Sequence, residues 1–524
     1  MFDFLIHSPV AHYARTMPEH PALSFKGDEL SYGELDSASN RLGNALVSHG
    51  LEPGGRVGIF MHKSLELGVA IYGALKAGGV FVPLDPFLPA ERLRFILDDC
   101  NIEHIVSANA MSASLKELPE SYKGRIYGVD ADIGAVKSTS WNQVEEYPDT
   151  QPDVWIIDQD LGYIMYTSGS TGHPKGMMHT HHGSISYARW GARHVDLTPD
   201  DRVASHAPLH FDLSIFDFFS TAQSGATVVL VPEPVTKFAA SWSQYIEDER
   251  ISVVFTVPFT LIEMLERGVM EQRDLSSLRW ILFGGEPFPP KHLRTLMERL
   301  PEVRFTNVYG PAEAPSCTCY DLPQYSQLSD EPVPIGTVSV NSEDLIIDDD
   351  DQECAVGEPG ELCIRSSTLT KGYWNRPDLN ERVYFFRDSF GPFPDVYFRT
   401  GDMVVRHEDG LLRFLGRKDR MVKTRGNRVE LDEVEAALAT HASVSEAAAF
   451  AVPDDQGSKK IVAAVKLSDD ESVATAALTR HASTRLPGYA LPQQLFIVDE
   501  FPRTSSGKID RNELVSQLVS SDDS

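Results

Sequence analysis

Cysteine is scarce in this chain, which has five among 524 residues: Cys100, Cys317, Cys319, Cys354 and Cys363. None of them forms a Cys-x-x-Cys pair, and five in so long a chain do not make a disulfide framework. This usage predicts a protein of the reducing cytoplasm.

Basic residues are also in short supply. The chain has 47 Lys and Arg against 76 Asp and Glu, so its formal net charge is −29. A surface this acidic argues against binding to nucleic acid or to an anionic membrane, because both need positive potential. It does not exclude a nucleotide substrate, since Mg²⁺, a few cationic side chains and backbone N–H groups neutralise a polyphosphate locally.

Long apolar runs are missing as well. No stretch of about 20 apolar residues, the length that spans a membrane, occurs in the sequence. The best candidate, residues 68–84, contains Lys76 and several glycines. The first residues lack the basic segment followed by an apolar stretch that is typical of a signal peptide. We therefore expect neither a membrane span nor a leader.

The sequence instead alternates strand-like apolar runs with helix-length amphipathic segments. Examples are RVGIFM at 56–61, a helical pattern at 64–78 and VFVPLD at 80–85. This alternation predicts an α/β protein with mainly parallel sheets. Residues from roughly 330 to 415 are rich in Gly, Pro and short β-like pieces, which indicates a small β-rich region. We expect a large N-terminal domain over residues 1–415 and a small α+β domain over 416–524.

One segment, residues 166–176 with the sequence YTSGSTGHPKG, has the composition of a phosphate-binding loop. It follows the apolar run GYIMY, and its glycines let backbone N–H groups approach an anion closely. It does not fit the Walker pattern, because Gly172 is not followed directly by Lys and Ser or Thr. Hydroxyl, glycine and ammonium groups come from Thr167, Ser168, Gly169, Ser170, Thr171, Gly172 and Lys175.

This segment resembles the phosphate loop of the adenylate-forming superfamily, which includes acyl-CoA ligases, luciferases and the adenylation domains of nonribosomal peptide synthesis. Four further motifs are similar to that superfamily, in its order: NVYGPAE (307–313), YFRTGD (397–402), GRKDRMVKTRGNRVE (416–430) and PRTSSGKIDR (502–511). The resemblance covers nearly the whole chain and implies ATP and Mg²⁺ as cofactors.

The resemblance also implies roles for individual residues. Tyr309 would stack on adenine, Glu313 would hold Mg²⁺, and Asp402 would bind the ribose hydroxyls. Arg417 would face the nucleotide, Asp419 would be the hinge between the domains, and Lys508 would be the catalytic lysine. Further nucleotide contacts would come from Gly284, Gly285, Glu286, Asn307 and Gly310.

The chemistry of carboxylate activation fits these residues. Attack of a carboxylate on an α-phosphate brings two anions together, so it needs a cation touching both and Mg²⁺ on the leaving pyrophosphate. Lys508, Glu313 and the loop at 167–176 supply these elements. One departure is Ala312, which stands where the superfamily usually has a threonine hydroxyl.

Asp212, in HFDLSIFD (210–217), resembles the aspartate with which amino-acid-activating members bind the substrate ammonium. A buried carboxylate needs a partner, and an ammonium group is a natural one. The alternative is a helix N-cap. Asp217 is expected to serve the fold. By the resemblance, the pocket would be lined by Leu213, Phe216, Thr256, Ile281, Phe283, Val308, Ser316 and Cys317.

This largely apolar lining predicts a small substrate side chain, such as that of Ala, Ser or Pro, and β-amino acids remain open. The residues after Lys508 contain no phosphopantetheine attachment motif, so we expect a separate carrier protein to accept the acyl group. The alternative enzyme class is an acyl- or aryl-CoA ligase, which has no amine to bind. A second alternative is a catalytically silent nucleotide-binding protein.

Overall fold

Strands and helices alternate along most of the chain, as the apolar runs predicted. The computed structural model describes residues 4–118, 122–169, 174–454, 458–468, 473–503 and 509–519. The predicted α/β class, with a large parallel-sheet region and a smaller C-terminal region, is confirmed.

The strands of the described chain have the following bounds: β1 Pro21–Phe25, β2 Asp28–Ser31, β3 Arg56–Phe60, β4 Val80–Pro83, β5 His104–Ser107, β6 Arg125–Tyr127, β7 Lys137–Thr139, β8 Leu161–Thr167, β9 Lys175–Thr180, β10 Arg202–Ser205, β11 Thr227–Leu230, β12 Val253–Thr256, β13 Trp280–Gly284, β14 Arg304–Tyr309, β15 Thr318–Asp321, β16 Thr337–Val338, β17 Ser342–Ile347, β18 Pro359–Ser366, β19 Tyr384–Phe390, β20 Phe393–Arg406, β21 Leu412–Arg417, β22 Met421–Thr424, β23 Asn427–Glu430, β24 Val444–Pro453, β25 Lys459–Leu467 and β26 Gln494–Ile497.

The α-helices have these bounds: α1 Ser8–Thr16, α2 Tyr32–Ser48, α3 Leu65–Lys76, α4 Ala90–Asp99, α5 Ser112–Leu115, α6 Trp141–Val144, α7 His181–His194, α8 Leu213–Ile215, α9 Thr221–Ser224, α10 Glu233–Thr236, α11 Ala239–Asp248, α12 Pro258–Arg267, α13 Pro290–Arg299, α14 Pro377–Val383, α15 Leu431–Ala439, α16 Thr475–Ala482 and α17 Arg511–Val519.

The chain forms two compact units. The first comprises Met1–Pro86, Leu97–Tyr166 and Gly176–Lys418, and the second comprises Phe87–Ile96, Thr167–Lys175 and Asp419–Ser524. The functional division predicted after residue 415 stays a prediction.

Three sheets build the first unit. A nine-stranded sheet has the order β16-β15-β14-β13-β12-β10-β11-β1-β2, and a seven-stranded sheet has the order β7-β6-β5-β3-β4-β8-β9. The third sheet, in the region predicted to be β-rich, has the order β17-β18-β20-β19 with β21 paired to β20. Helix α3 contacts β1 of the first sheet and β3 and β4 of the second. Its residues from Leu67 to Lys76 are all buried, as expected for a helix that packs on both sides.

The second unit contains a two-stranded sheet, β22-β23, and a three-stranded sheet, β24-β25-β26. Its core is a cluster of buried residues from β23, α15, β24, β25 and α16, in which Val434, Leu438 and Leu478 are fully buried. The predicted α+β character of this region is what the structure has.

A short irregular helix leads away from β10. Helix α8 is followed by a π-helical turn, Phe216–Ser220, and then by α9. The whole π-helical turn is buried. Single π-helical turns inside α-helices are rare and often lie at functional sites, and this one directly follows the segment that carries Asp212.

Candidate active site

The predicted substrate and nucleotide residues of the first unit lie where parallel strands end. Strands β10, β12, β13 and β14 run parallel to one another. Their carboxyl ends therefore meet at one edge of the nine-stranded sheet, which is where ligands bind in open α/β sheets. Thr256 ends β12, Gly284 ends β13 and Tyr309 ends β14.

Tyr309, Asp402 and Arg417 form one hydrogen-bonded group. The Tyr309 hydroxyl donates to Oδ2 of Asp402, and Arg417 donates to Oδ1 of the same carboxylate at 2.7 Å. Arg417 also donates to the carbonyl of Thr400 at 2.9 Å. The predicted adenine-stacking ring, the predicted ribose-binding acid and the predicted nucleotide-facing arginine are thus brought together.

Strand pairing places two members of this group side by side. Asp402 of β20 is the direct register partner of Arg417 of β21. Burial, and then the nearby Asp402 carboxylate, raise the pKa of the Tyr309 hydroxyl well above its usual value. A carboxylate has about four acceptor positions, so Asp402 retains acceptor capacity for ribose hydroxyls beyond these two bonds.

Glu313 lies at the centre of a second group. Its side chain is 1% exposed, and the Tyr373 hydroxyl donates to its Oε1 at 2.5 Å. The backbone N–H of Thr370 donates to the Glu313 carbonyl at 2.7 Å. Tyr373 is itself held by Asn380, whose side-chain oxygen accepts from the Tyr373 N–H at 2.8 Å.

His179 lies beside this group. Its imidazole stacks on Tyr163 with ring centroids 4.7 Å apart. Burial lowers the pKa of His179 to about 4, although the Glu313 carboxylate and a hydrogen bond to the backbone of Ala312 act in the opposite direction. His179 is therefore neutral at pH 7. His179 lies against Ala312, which stands where the superfamily usually has threonine.

Asp212 lies at the N-cap position of α8, but its side chain makes no capping hydrogen bond. Burial raises the pKa of Tyr163 and of Tyr187, and the Asp212 carboxylate contributes to both shifts. Asp212 thus lies close enough to two buried tyrosines to raise their pKa values.

The predicted pocket residues divide between the two faces of the sheet. The Phe216 ring packs edge-on against the Phe255 ring, with ring centroids 5.4 Å apart. Phe255 pairs with Leu282, and Gly284 pairs with Val308. Alternate residues of a strand share a face, so Leu282, Gly284 and Val308 lie on the Phe216 side.

Ile281 and Phe283 lie on the opposite face, in the hydrophobic cluster that includes Leu261 of α12 and Leu293 and Leu296 of α13. Thr256, the register partner of Phe283, lies on that face as well. That these residues line the amino-acid pocket stays a prediction.

Gly284 is required at its position. A Cβ atom there would lie 2.2 Å from the carbonyl oxygen of Val308, so no other residue fits without a backbone shift. Gly285 follows with a φ of +92°.

The remaining predicted residues of the first unit have protein partners or lie in the core. The Glu286 carboxylate accepts from the N–H of Phe259 at 3.1 Å, at the start of α12. Asn307 donates to the Pro334 carbonyl at 2.8 Å, and Thr256 hydrogen-bonds to His206 at 3.3 Å. Cys317 is fully buried, Ser316 is buried and Leu213 is half-buried. Gly310 directly follows Tyr309.

Both ends of the predicted phosphate loop are anchored. The Tyr166 hydroxyl donates to the Asp99 carboxylate, and the Trp374 indole donates to the Asp99 carbonyl at 2.9 Å. The Trp374 N–H donates to the Gly176 carbonyl at 2.8 Å. A Cβ on Gly176 would lie 2.9 Å from Cζ of Tyr166. Residues 166 and 176 are thus held against each other.

Within the loop, the hydroxyl oxygen of Thr167 is buried and has no hydrogen-bond partner among the described residues. Ser168 donates to the carbonyl of Arg428 at 2.9 Å, Gly169 is buried, and Lys175 begins β9. In the second unit, the predicted hinge residue Asp419 accepts from the N–H of Met421 at 3.1 Å. Ser170, Thr171, Gly172 and Lys508 lie outside the described residues.

The group around Glu313 in the first unit fits Mg²⁺. Mg²⁺ prefers oxygen ligands, particularly carboxylates together with substrate phosphates, and Glu313 offers a buried carboxylate with one oxygen directed by Tyr373. In the second unit, the buried hydroxyl of Thr167 without a described partner is the kind of group that a phosphate oxygen satisfies.

Sequence comparisons decide the family. The family model for AMP-binding enzymes matches residues 10–374, and that for the AMP-binding enzyme C-terminal domain matches residues 433–508. The chain belongs to the AMP-binding enzyme family. This AMP-binding enzyme is therefore a member of the adenylate-forming superfamily, whose enzymes use ATP, and the resemblance seen in the motifs is confirmed.

Curated relatives cover almost the whole of the AMP-binding enzyme. It is 35% identical to the L-proline–[L-prolyl-carrier protein] ligase of Pseudomonas fluorescens, over 98% of this chain and 99% of the relative. It is 32% identical to tyrocidine synthase 1 of Brevibacillus parabrevis over 97% of this chain, which spans 44% of that larger protein.

Solved structures have the same fold. The Vibrio cholerae adenylation domain AlmE, in complex with glycyl-adenosine-5'-phosphate, matches 99% of this chain and 98% of its own with a TM-score of 0.86. The two are 24% identical, and this likeness shows the fold alone. No helix among the described residues of the AMP-binding enzyme is long and apolar enough to cross a membrane.

Several residues of the site were missed by the sequence analysis. Tyr373 lies in KGYWNRP, a segment that the motifs used above do not include, and its glycine and aromatic residues were the available signal. The sequence assigns no role in this group to His179 or Tyr187, because their contacts are with distant residues.

Proposed function

We propose that the chain adenylates a small amino acid and transfers the aminoacyl group to the phosphopantetheine thiol of a separate carrier protein, in the cytoplasm. The observation that carries this proposal is the position of Asp212. Its carboxylate lies close enough to two buried tyrosines to raise their pKa values and makes no capping hydrogen bond to α8. A substrate ammonium is a cation that would pair favourably with a carboxylate in this position.

The chemistry would run in two steps. In the first, the amino-acid carboxylate attacks the α-phosphate of ATP, a carboxylate–phosphorus bond forms, and pyrophosphate leaves. Lys508 would balance the charge of the two reacting anions, and Arg417, Asp402 and Tyr309 would hold the adenosine. Mg²⁺ on Glu313 would supply positive charge to the leaving pyrophosphate.

In the second step, the thiol attacks the acyl carbon, a thioester forms, and AMP leaves with the bridging oxygen. We propose that residues 416–524 act as a lid that rotates about Asp419 between the two steps, withdrawing Lys508. The 35% identical relative, a prolyl-carrier protein ligase by name, supports both the carrier as acceptor and proline among the first substrates to test.

The predicted pocket lining is largely apolar, and Phe216 and Phe283 would fill space in it. We propose an amino acid with a small or compact apolar side chain, of which Pro, Ala and Ser are the first candidates.

ATP–pyrophosphate exchange tests the proposal. The purified protein with Mg²⁺ is assayed across proteinogenic, D- and β-amino acids and across fatty and aryl acids. We expect exchange with one compact amino acid, lost in Lys508→Ala and in Asp212→Ala but retained in Asp200→Ala, which removes an exposed aspartate that precedes β10. Exchange with amine-free acids alone would favour the CoA-ligase alternative, and nucleotide binding without any exchange would favour the silent protein.

A further inference from the structure

Lys63 is a buried lysine that the proposed chemistry does not use. It is 7% exposed, and its ammonium donates to the carbonyls of Ser205 and His206 at 2.6 and 2.8 Å. Ser205 is the last residue of β10. The ammonium group therefore holds the chain at the point where it leaves the sheet toward Asp212.

A buried carboxylate interacts electrostatically with Lys63. Asp217 is fully buried in the π-helical turn. Burial raises the pKa of its carboxyl group well above the usual value, while Lys63 and the neighbouring Ser205 hydroxyl lower it. Ser205 is close, yet neither Asp217 oxygen has a hydrogen-bond partner of good geometry among the described residues. Lys63 is thus the cation that compensates this buried acid.

Asp217 in turn affects the pKa of Lys63. Burial lowers the pKa of Lys63 to about 8, against the opposing effect of Asp217 and then of Glu233. The backbone N–H of Lys63 also donates to the Glu233 side chain at 3.1 Å. Lys63 lies three residues after β3, so a strand of the seven-stranded sheet fixes it in place.

Lys63 interacts with both ends of the segment that carries the proposed substrate-binding residues. The ammonium bonds to the chain at residues 205 and 206, and Asp217 lies at the other end. Between them are Asp212, Leu213 and Phe216. The His206 side chain, in turn, hydrogen-bonds to Thr256 at 3.3 Å. A shift of this one ammonium group would move both ends of the segment.

We propose that Lys63 is a specificity-determining positioning residue. Its ammonium, bonded to the carbonyls of Ser205 and His206 at the end of β10, fixes the start of segment 205–217 and so sets where Asp212 and Phe216 meet the amino acid. This inference rests on the proposed function. Lys63 touches neither reacting group, so it acts through the segment and not on the substrate.

A purely structural role predicts something different. Removal of a buried charge costs stability wherever it occurs, and the loss alone would affect the two substrates equally. A positioning role predicts that the Michaelis constants of the two substrates change by different amounts. The Michaelis constant for the amino acid rises, while that for MgATP does not, because the Tyr309–Asp402–Arg417 group is independent of segment 205–217.

The test uses pyrophosphate-exchange kinetics and thermal unfolding of Lys63→Met, Asp217→Asn and the double variant. Misplacement of substrate-binding groups by about 1 Å costs up to roughly a hundredfold, so we expect the amino-acid KM of Lys63→Met to rise about ten- to a hundredfold. The KM for MgATP should stay within about twofold of wild type. The double variant should regain thermal stability without regaining the amino-acid KM.

Lys76→Met is the matched control. Lys76 is also buried and paired, with its ammonium 2.6 Å from the Asp36 carboxylate, but it lies in α3 and not beside segment 205–217. We expect it to lower the unfolding temperature with no split between the two KM values.

Other results would overturn the inference. These are an unchanged amino-acid KM in folded Lys63→Met, or an equal rise of both KM values. If Lys63→Met does not fold, Asp217→Asn, which keeps the side-chain volume, carries the test with the same expected split. A wild-type protein that responds to amine-free acids alone would defeat the proposed function, and the same KM comparison with that acid would still test Lys63.

Discussion

The hydroxyl of Tyr373 lies 2.5 Å from Oε1 of Glu313, and both side chains are buried. The two residues are 60 positions apart in sequence. Because one carboxylate oxygen is held by this bond, the orientation of the other is fixed. Tyr373 is therefore a positioning residue for the carboxylate to which we assign Mg²⁺.

Tyr373→Phe removes this bond and leaves a buried carboxylate oxygen without its donor. Loss of a hydrogen bond to a charged group costs about 1.5–3 kcal/mol. We expect the Mg²⁺ concentration for half-maximal pyrophosphate exchange to rise by about tenfold or more. Direct titration of MnATP binding by electron paramagnetic resonance should show the same loss without turnover.

The control is Tyr245→Phe, which removes a hydroxyl that donates to the backbone carbonyl of Leu230 at 2.9 Å. It should leave the metal dependence at the wild-type value. If Tyr373→Phe did the same, the assigned role of the Tyr373–Glu313 bond would be wrong.

Tyr309→Phe keeps the aromatic ring but removes the bond to Asp402. We expect the KM for ATP to rise by about tenfold, because the ring and the ribose-binding carboxylate lose their connection. The KM for the amino acid should be unchanged. Steady-state exchange kinetics measure both, and a rise confined to the amino acid would contradict the assignment of Tyr309 to the adenosine site.

Gly176→Ala tests the contact between Tyr166 and Gly176 at the two ends of the predicted phosphate loop. The new Cβ would lie 2.8 Å from Cγ2 of Ile164 and 2.9 Å from Cζ of Tyr166. Overpacking of this kind costs about 1–3 kcal/mol, and the Tyr166 ring would have to move. We expect a lower unfolding temperature together with a higher KM for ATP.

Gly488→Ala provides the comparison, because a Cβ there would meet nothing within 4 Å. This variant should unfold at the wild-type temperature or slightly above it. Equal unfolding temperatures and equal KM values for ATP in the two alanine variants would show that the contact between Tyr166 and Gly176 does not hold the loop ends together.

The pH dependence of stability should reveal buried neutral histidines. His181 is 1% exposed, and its Nδ1 accepts from the N–H of Ile6 at 3.4 Å. Burial lowers the pKa of His181 to about 4, with Asp160 and Asp158 opposing. The unfolded chain therefore binds more protons than the folded chain between pH 6.5 and 4, and stability falls as pH falls through that window.

The contribution of His181 is full above pH 6.5, is lost by pH 4 and amounts to at most about 3 kcal/mol. His181→Leu should flatten the curve of unfolding free energy against pH between these values. His182→Asn, which changes a half-exposed neighbour paired with Asp158, should leave the slope unchanged. Chemical denaturation at a series of pH values measures both, and equal slopes in wild type and His181→Leu would contradict the prediction.

The sequence predicted the fold class because the fold class depends on local patterns. Apolar runs gave β3, α3 and β4 close to their observed bounds. Tyr309 ends β14 and Glu313 follows it by four residues, whereas Asp402 lies within β20.

The contacts that the sequence analysis missed have a physical cause in common. Tyr373 and Lys63 act through partners 60 and 142 residues away. Such pairs are fixed by the packing of whole sheets, and no local pattern contains them.

The π-helical turn at Phe216–Ser220 makes the orientation of Asp212 depend on the number of residues in the turn. A π-helical turn contains one residue more than an α-helical turn, so deletion of one residue there would restore a regular helix. Each helical residue corresponds to about 100° of rotation, so Asp212 would turn relative to α9 by about that angle. A one-residue deletion in this turn would therefore reorient Asp212 without substituting any residue of the segment that carries it.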